Sequence, residues 1–169
     1  MKILTLVRHA KSDWNYPCLS DHERPLNKRG LAAAPEIGSC LKKRGFKPDV
    51  LLSSTALRAT TTAKLIAGAL NIKPAQIQPV ADLYLASAAE YEHIISSIDN
   101  SVNINHAMIF GHNPGTHEFA HYLTGANEID RFITCAVAMI ELDIGCWGEI
   151  GFGCGRLKEF FTPRDLPPV

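Results

Sequence analysis

The chain has 169 residues, 46% of them apolar, and its seventeen basic and seventeen acidic side chains cancel to zero net charge. That length suits one domain, residues 1–169, around one sizeable core, and the balanced charge excludes binding driven by a basic field, so no nucleic-acid partner is expected. Five cysteines (Cys18, Cys40, Cys135, Cys146 and Cys154) are odd in number and form no Cys-x-x-Cys pair, which argues for buried thiols in a cytoplasmic protein rather than a disulfide framework or a thiolate zinc site.

The first predicted element is Ile3-Leu4-Thr5-Leu6-Val7, β-branched and leucine-rich, which reads as a buried strand of a parallel sheet. It is cut by Arg8, too short for a signal peptide, and no other stretch is long enough to span a bilayer, so no membrane partner is expected. Such a strand opens onto a ligand crevice at its carboxyl end, where Arg8 and His9 arrive together. The guanidinium fork matches phosphate oxygens, and the imidazole is a nitrogen nucleophile that titrates near neutrality. A helix is expected from Asn27 to Lys43, kinked or restarted at Pro35, ending in Lys42-Lys43-Arg44 before Gly45. Val50-Leu51-Leu52 is the next strand, and Ser53-Ser54-Thr55 reads as a capping cluster for a helix from Ala56 to Leu70 that carries Arg58 in its first turn.

A third helix is expected from Ser87 to Ser97, with Glu90 and Glu92 on its solvated face. Ala107-Met108-Ile109-Phe110 is a strand that ends in the turn Gly111-His112-Asn113-Pro114-Gly115, which sets His112 at the same sheet edge and launches a helix from Gly115 to Leu123. After Thr124-Gly125, Thr134 to Leu142 and Gly148 to Leu157 read as strands joined by a glycine turn, at least one of them antiparallel. Pro163 to Val169 is too proline-rich for regular structure and is expected as an extended tail. The alternation of strand and helix predicts an α/β fold with a mainly parallel central sheet.

Three segments thus carry phosphate chemistry at the ends of three strands, and together they resemble the histidine phosphatase superfamily, which includes the cofactor-dependent phosphoglycerate mutases and the acid phosphatases. The nearest branch is the SixA-type phosphohistidine phosphatases. Leu6-Val7-Arg8-His9-Ala10 is similar to the family's Arg-His-Gly loop, Ser53-Ser54 through Arg58-Ala59 and Thr62-Ala63 to its second arginine motif, and Gly111 to Gly115 to its second histidine motif. The resemblance runs from Leu6 to about Gly125, and more weakly to Leu166. It implies a three-layer α/β/α, phosphoglycerate mutase-like fold and a two-step transfer: His9 attacks phosphorus, and water then releases the phosphoenzyme. Arg8, Arg58 and His112 would surround the equatorial oxygens, with His9 neutral and His112 protonated; Asn15 and Arg24 would make further phosphate contacts. Neither a metal nor another cofactor is required. A phosphohistidine carrier protein is the implied partner, with a small phosphate ester or another phosphoprotein as the alternative.

Two departures from the family bear on this reading. Ala10 replaces the usual glycine, which implies a slightly different loop path. In Asp82-Leu83-Tyr84-Leu85, Leu85 stands where mutases and phosphomonoesterases carry the glutamate that protonates the leaving oxygen, leaving Asp82 as the candidate substitute acid. A nitrogen leaving group is basic enough to do without that acid, which favours phosphohistidine over alkyl phosphates. A competing motif, His117-Glu118-Phe119-Ala120-His121, matches the His-Glu-x-x-His pattern of zinc hydrolases, but no third histidine follows it.

Overall fold

A computed structural model describes residues 1–166. In chain order its main elements are β1 (Lys2–Arg8), α1 (Lys28–Lys43), β2 (Val50–Ser54), α2 (Leu57–Ala69), β3 (Ile77–Val80), α3 (Ala88–Ser96), β4 (His106–Gly111), α4 (Gly115–Thr124), β5 (Val137–Leu142) and β6 (Gly155–Phe161). The strands form one sheet in the order β3-β2-β4-β1-β5-β6. β1, β2, β3 and β4 are mutually parallel, β5 is antiparallel to β1, and β6 is antiparallel to β5.

The pleat sorts side chains into two cores, because successive residues of a strand point to opposite faces. Leu4, Leu6, Ala107 and Ile109 face the layer that holds Ile94 and Ile95 of α3 and Phe119 and Leu123 of α4. Val7, Leu51, Met108 and Phe110 face Ala34, Ile37 and Leu41 of α1 and Ala63 and Ile66 of α2. The architecture is therefore three-layer α/β/α. Each large aliphatic side chain in these layers contributes about 1.5–3 kcal/mol by its burial, which anchors the three central strands, β2, β4 and β1, that carry the phosphate motifs at their carboxyl ends.

Several local expectations are corrected. Helix α1 runs unbroken through Pro35. The carbonyl that proline leaves without a donor is that of Leu31, a residue 48% exposed on the solvent side of the helix, where the loss of one bond costs least. β3, Ile-Gln-Pro-Val, was not anticipated; it lies at the sheet edge, where the missing N–H of Pro79 costs no ladder bond. The last two strands start later than expected, at Val137 and Gly155, and a 3₁₀ turn at Trp147–Glu149 buries the indole between them. The expected tail begins instead with a 3₁₀ turn at Pro163–Asp165, capped by the Thr162 hydroxyl, and residues 167–169 lie outside the described residues.

Candidate active site

His9 is fixed by its own backbone before any side-chain contact is considered. Its N–H donates to the Gly111 carbonyl of β4 at 3.0 Å, and its carbonyl accepts from the Cys135 N–H at 3.1 Å. Cys135 reaches this position with a left-handed φ of 62°. On the ring, Nδ1 lies 2.7 Å from the Ala10 carbonyl. A carbonyl only accepts, so Nδ1 carries the proton and Nε2 bears the lone pair. Arg58 Nε donates toward that lone pair at 3.3 Å. Burial first, then the charges of Arg58, Arg8 and Arg24, lower the His9 pKa to about 4, against the smaller opposing effect of the Ala10 bond.

His112 sits across the cavity, its ring centroid 5.1 Å from that of His9. Its Nε2 is 2.7 Å from the Ser54 hydroxyl, while its Nδ1 is buried without a partner. Two close backbone approaches hold this turn. A Cβ on Gly111 would stand 1.7 Å from the Tyr91 hydroxyl, and one on Gly115 would stand 1.7 Å from the Ala86 carbonyl oxygen. Neither glycine has a positive φ. Space, rather than the conformational freedom expected from the sequence, is what these positions require. Burial, reinforced by His9 and Arg58, lowers the His112 pKa to about 3, so both imidazoles are neutral in the free site and the expected contrast in protonation is absent there.

Arg8 directs Nη1 to the Phe132 carbonyl at 2.9 Å, an acceptor it shares with Asn113 Nδ2, and its buried Nε has no partner. Arg24 donates from Nη1 to the Ser12 hydroxyl at 2.9 Å and stacks its guanidinium 3.5 Å from the Trp14 ring centroid. With Lys11, Asp21, Leu85, Asn113 and Thr134, these groups line one cavity of about 340 Å³. A buried polar nitrogen left unpaired is costly, and two of them, Arg8 Nε and His112 Nδ1, belong to residues that line this cavity.

The structure thus brings together Arg8, His9, Arg24, Arg58 and His112. It does not bring Asn15, which is exposed and outside the cavity lining. Nor does it bring Asp82, which is exposed and lines a separate cavity beside His93 and Ile94. Leu85 itself reaches the cavity from a left-handed backbone, φ 52°. Ala10 has no positive φ, and its N–H donates to Thr62 Oγ1 at 2.9 Å, so alanine stands in the loop without backbone strain. The capping cluster is also reassigned: α2 starts after Ala56 with no side-chain cap, and Ser54 serves His112 instead.

The zinc-like pair is likewise reassigned. His117 Nε2 and His121 Nε2 both donate to the Ile129 carbonyl, at 2.6 and 3.0 Å, which ties α4 to the following loop and protonates the nitrogens a cation would need. Among the described residues, no group of three or more His, Cys, Asp or Glu side chains is placed to hold a metal ion. No helix among the described residues is long and apolar enough to cross a membrane.

Sequence reasoning missed Asp21 and Tyr84. Asp21 Oδ2 accepts from Arg58 Nη2 at 2.9 Å and from the Tyr84 hydroxyl at 2.6 Å, and Oδ1 accepts from Arg24 Nε at 3.0 Å. Burial works against the Asp21 charge, but hydrogen bonds from Tyr84, Arg24 and Arg58 outweigh it and hold the carboxyl well below the usual range. The three-residue spacing from Asp21 to Arg24 was the only signal in the sequence.

Comparison with known proteins agrees with this geometry. The model of the histidine phosphatase superfamily (branch 1) matches residues 4–115. An uncharacterised chloroplastic protein of Arabidopsis thaliana is 33% identical over 170 residues, covering 95% of this chain and 77% of that protein. An uncharacterised protein of Mycobacterium tuberculosis is 30% identical over 168 residues, covering 94% of this chain and 100% of the relative. The crystal structure of a protein provisionally named as phosphohistidine phosphatase SixA from Agrobacterium tumefaciens superposes with a TM-score of 0.81 at 27% identity, covering 96% of this chain and 98% of that one. By its sequence motifs, its sheet and its arginine-lined histidine pair, the chain belongs to the histidine phosphatase superfamily, branch 1.

Proposed function

We propose that this protein is a metal-independent phosphatase that forms a phosphohistidine on His9, and that its substrate is phosphohistidine in a carrier protein. The observation that carries the reading is the His9 tautomer: Nδ1–H is committed to the Ala10 carbonyl, and Nε2 faces a cavity rimmed by Arg8, Arg24, Arg58 and His112. In the first step the Nε2 lone pair forms a bond to phosphorus while the bond to the leaving nitrogen breaks; the substrate imidazole, protonated from solvent on its other ring nitrogen, takes the electron pair of that bond and departs neutral. In the second step water attacks phosphorus, the His9–phosphorus bond breaks, and inorganic phosphate leaves. The arginines neutralise charge on the equatorial oxygens, so catalysis rests on positioning and electrostatics. Arrival of the dianion favours the imidazolium form of His112, whose Nδ1 is the buried nitrogen without a partner.

Phosphohistidine is favoured because the cavity holds no carboxyl able to donate a proton. Leu85 stands at its mouth, Asp82 is elsewhere, and Asp21 is kept ionised by its partners. The SixA name of the Agrobacterium structure points the same way. The five free cysteines suit the reducing cytoplasm as its setting.

The test is phosphate release from a phosphohistidine-bearing carrier protein and from an alkyl phosphomonoester, by the native protein and by His9→Ala. Turnover of the phosphoramidate should be preferred, and His9→Ala should lower it by roughly 10³-fold or more. Equal or better turnover of the alkyl ester would move the assignment to a phosphomonoesterase. Activity that survives His9→Ala would remove the nucleophile altogether.

A further inference from the structure

Among the described residues, Asp21 is the only acidic residue lining the cavity, and both of its carboxylate oxygens are engaged. Oδ1 accepts from Arg24 Nε at 3.0 Å, with Arg24 Nη2 in ion-pair contact at 2.9 Å; Oδ2 accepts from Arg58 Nη2 at 2.9 Å and the Tyr84 hydroxyl at 2.6 Å. Three hydrogen bonds from three side chains thus hold one ionised carboxylate, which offers only acceptor sites. The Asp21 backbone carbonyl takes Arg58 Nη1 as well. Arg58 is 2% exposed, so its guanidinium is held on two sides by one residue and turns its remaining nitrogen, Nε, to His9 Nε2. The chain of contacts from Asp21 through Arg58 to the nucleophile is continuous.

These donors come from three separate parts of the chain. Arg24 closes the 3₁₀ turn at Asp21–Glu23, Arg58 begins α2, and Tyr84 precedes Leu85 at the cavity mouth. A carboxylate that merely plugged an empty phosphate position would need only the arginines. One that also binds a tyrosine outside the cavity lining, on a residue whose backbone carbonyl takes a second nitrogen of Arg58, is built as a frame. Fixing two long arginine stems in advance means that the chemical step need not order them.

Building on the phosphatase reading, we propose that Asp21 is a positioning residue: its carboxylate locks Arg24, Arg58 and Tyr84 into one frame, so that Arg58 meets the His9 nitrogen and the incoming phosphoryl oxygens in register. It touches neither phosphorus nor the leaving group, and acts through Arg58.

The experiment compares the full-length native protein with Asp21→Asn, which keeps the shape but loses the charge and half of the acceptors. Tyr84→Phe, which removes one donor only, serves as a milder second variant. Kinetic constants on a phosphohistidine carrier protein, calorimetric binding of inorganic phosphate, and the NMR resonance of the Arg58 Nε–H are read for each. Asp21→Asn should lower kcat roughly 10–100-fold, as expected for a misplaced catalytic group, with KM changed less than about threefold. Inorganic phosphate should bind no more weakly, since a negative charge has been removed, and the Arg58 Nε–H should lose its protection from exchange. Tyr84→Phe should shift the same readouts in the same direction by less. A kcat within about twofold of native overturns the proposal, and so does a joint rise in kcat and phosphate affinity, which would make Asp21 a competitor of phosphate. If the native protein shows no turnover that His9→Ala removes, the phosphatase reading falls separately. The Arg58 resonance then decides: its persistence in Asp21→Asn overturns the frame, and its loss supports it.

Discussion

Among single residues, Leu85 and His9 decide the most chemistry. Leu85 is 54% exposed at the cavity mouth, and no neighbouring carboxyl replaces the missing acid, so Leu85→Glu places a proton donor where an alkoxide leaves. General acid assistance is worth typically ~10²–10⁴-fold, and alkyl phosphate turnover should rise by about 10²-fold while phosphoramidate turnover changes little. Steady-state rates on both substrates check this, and an unchanged alkyl rate contradicts the account of specificity. His9 bears on pH. With a pKa near 4, its Nε2, the proposed nucleophile, stays unprotonated throughout pH 5–8 in the free protein. An NMR titration of the His9 imidazole should therefore show a midpoint well below the ordinary value of about 6.5; a midpoint at that ordinary value would mean that the ring is not desolvated by its surroundings. Arg8, His9, Arg58 and His112 were legible in the sequence because each directly follows, or lies one turn beyond, an apolar run. Asp21 was not, since its partners Arg58 and Tyr84 are 37 and 63 residues away.

The elements show the same division. The periodic helices and the central strands could be read with boundaries shifted by only a few residues, because buried strands and amphipathic helices write their burial into residue order. β3 could not, since Ile-Gln-Pro-Val lacks a strand pattern and pairs only because β2 offers an edge beside it. The displaced β6 has a similar cause. Its residues mostly alternate between exposed and half-buried, while the start of the stretch expected as strand, Gly148-Glu149, is taken up by a 3₁₀ turn that buries the Trp147 indole. The turn from β4 to α4 carries a prediction at this scale. Gly115→Ala drives a methyl group to 1.7 Å from the Ala86 carbonyl oxygen, a backbone atom that yields only if α3 or α4 moves. A loss of about 3 kcal/mol is expected in urea unfolding, together with reduced activity through the displaced His112; a loss under about 0.5 kcal/mol would show that the approach relaxes freely.

For the molecule as a whole, three buried histidines link stability to acid. His9 and His106 have pKa values lowered to about 4 and His112 to about 3, each chiefly by burial. Between these values and the unfolded pKa of about 6.5 the unfolded chain binds more protons, so stability is full above pH 6.5 and falls as pH drops toward 4. By pH 5 each histidine removes about 2 kcal/mol, and chemical denaturation at pH 7 and pH 5 should show the combined loss. Equal stability at the two pH values would contradict the burial of these rings as neutral groups. The amino-acid order by itself determined the fold class and the four residues at the strand ends, because apolar periodicity and strand-end chemistry are local properties of a chain. Only the tertiary structure decided which carboxylate enters the cavity, that Ser54 serves His112 rather than a helix end, and that Phe132 lends its carbonyl to Arg8. Those contacts join segments 37 to 124 residues apart, and their geometry is set by how the layers pack rather than by any local pattern.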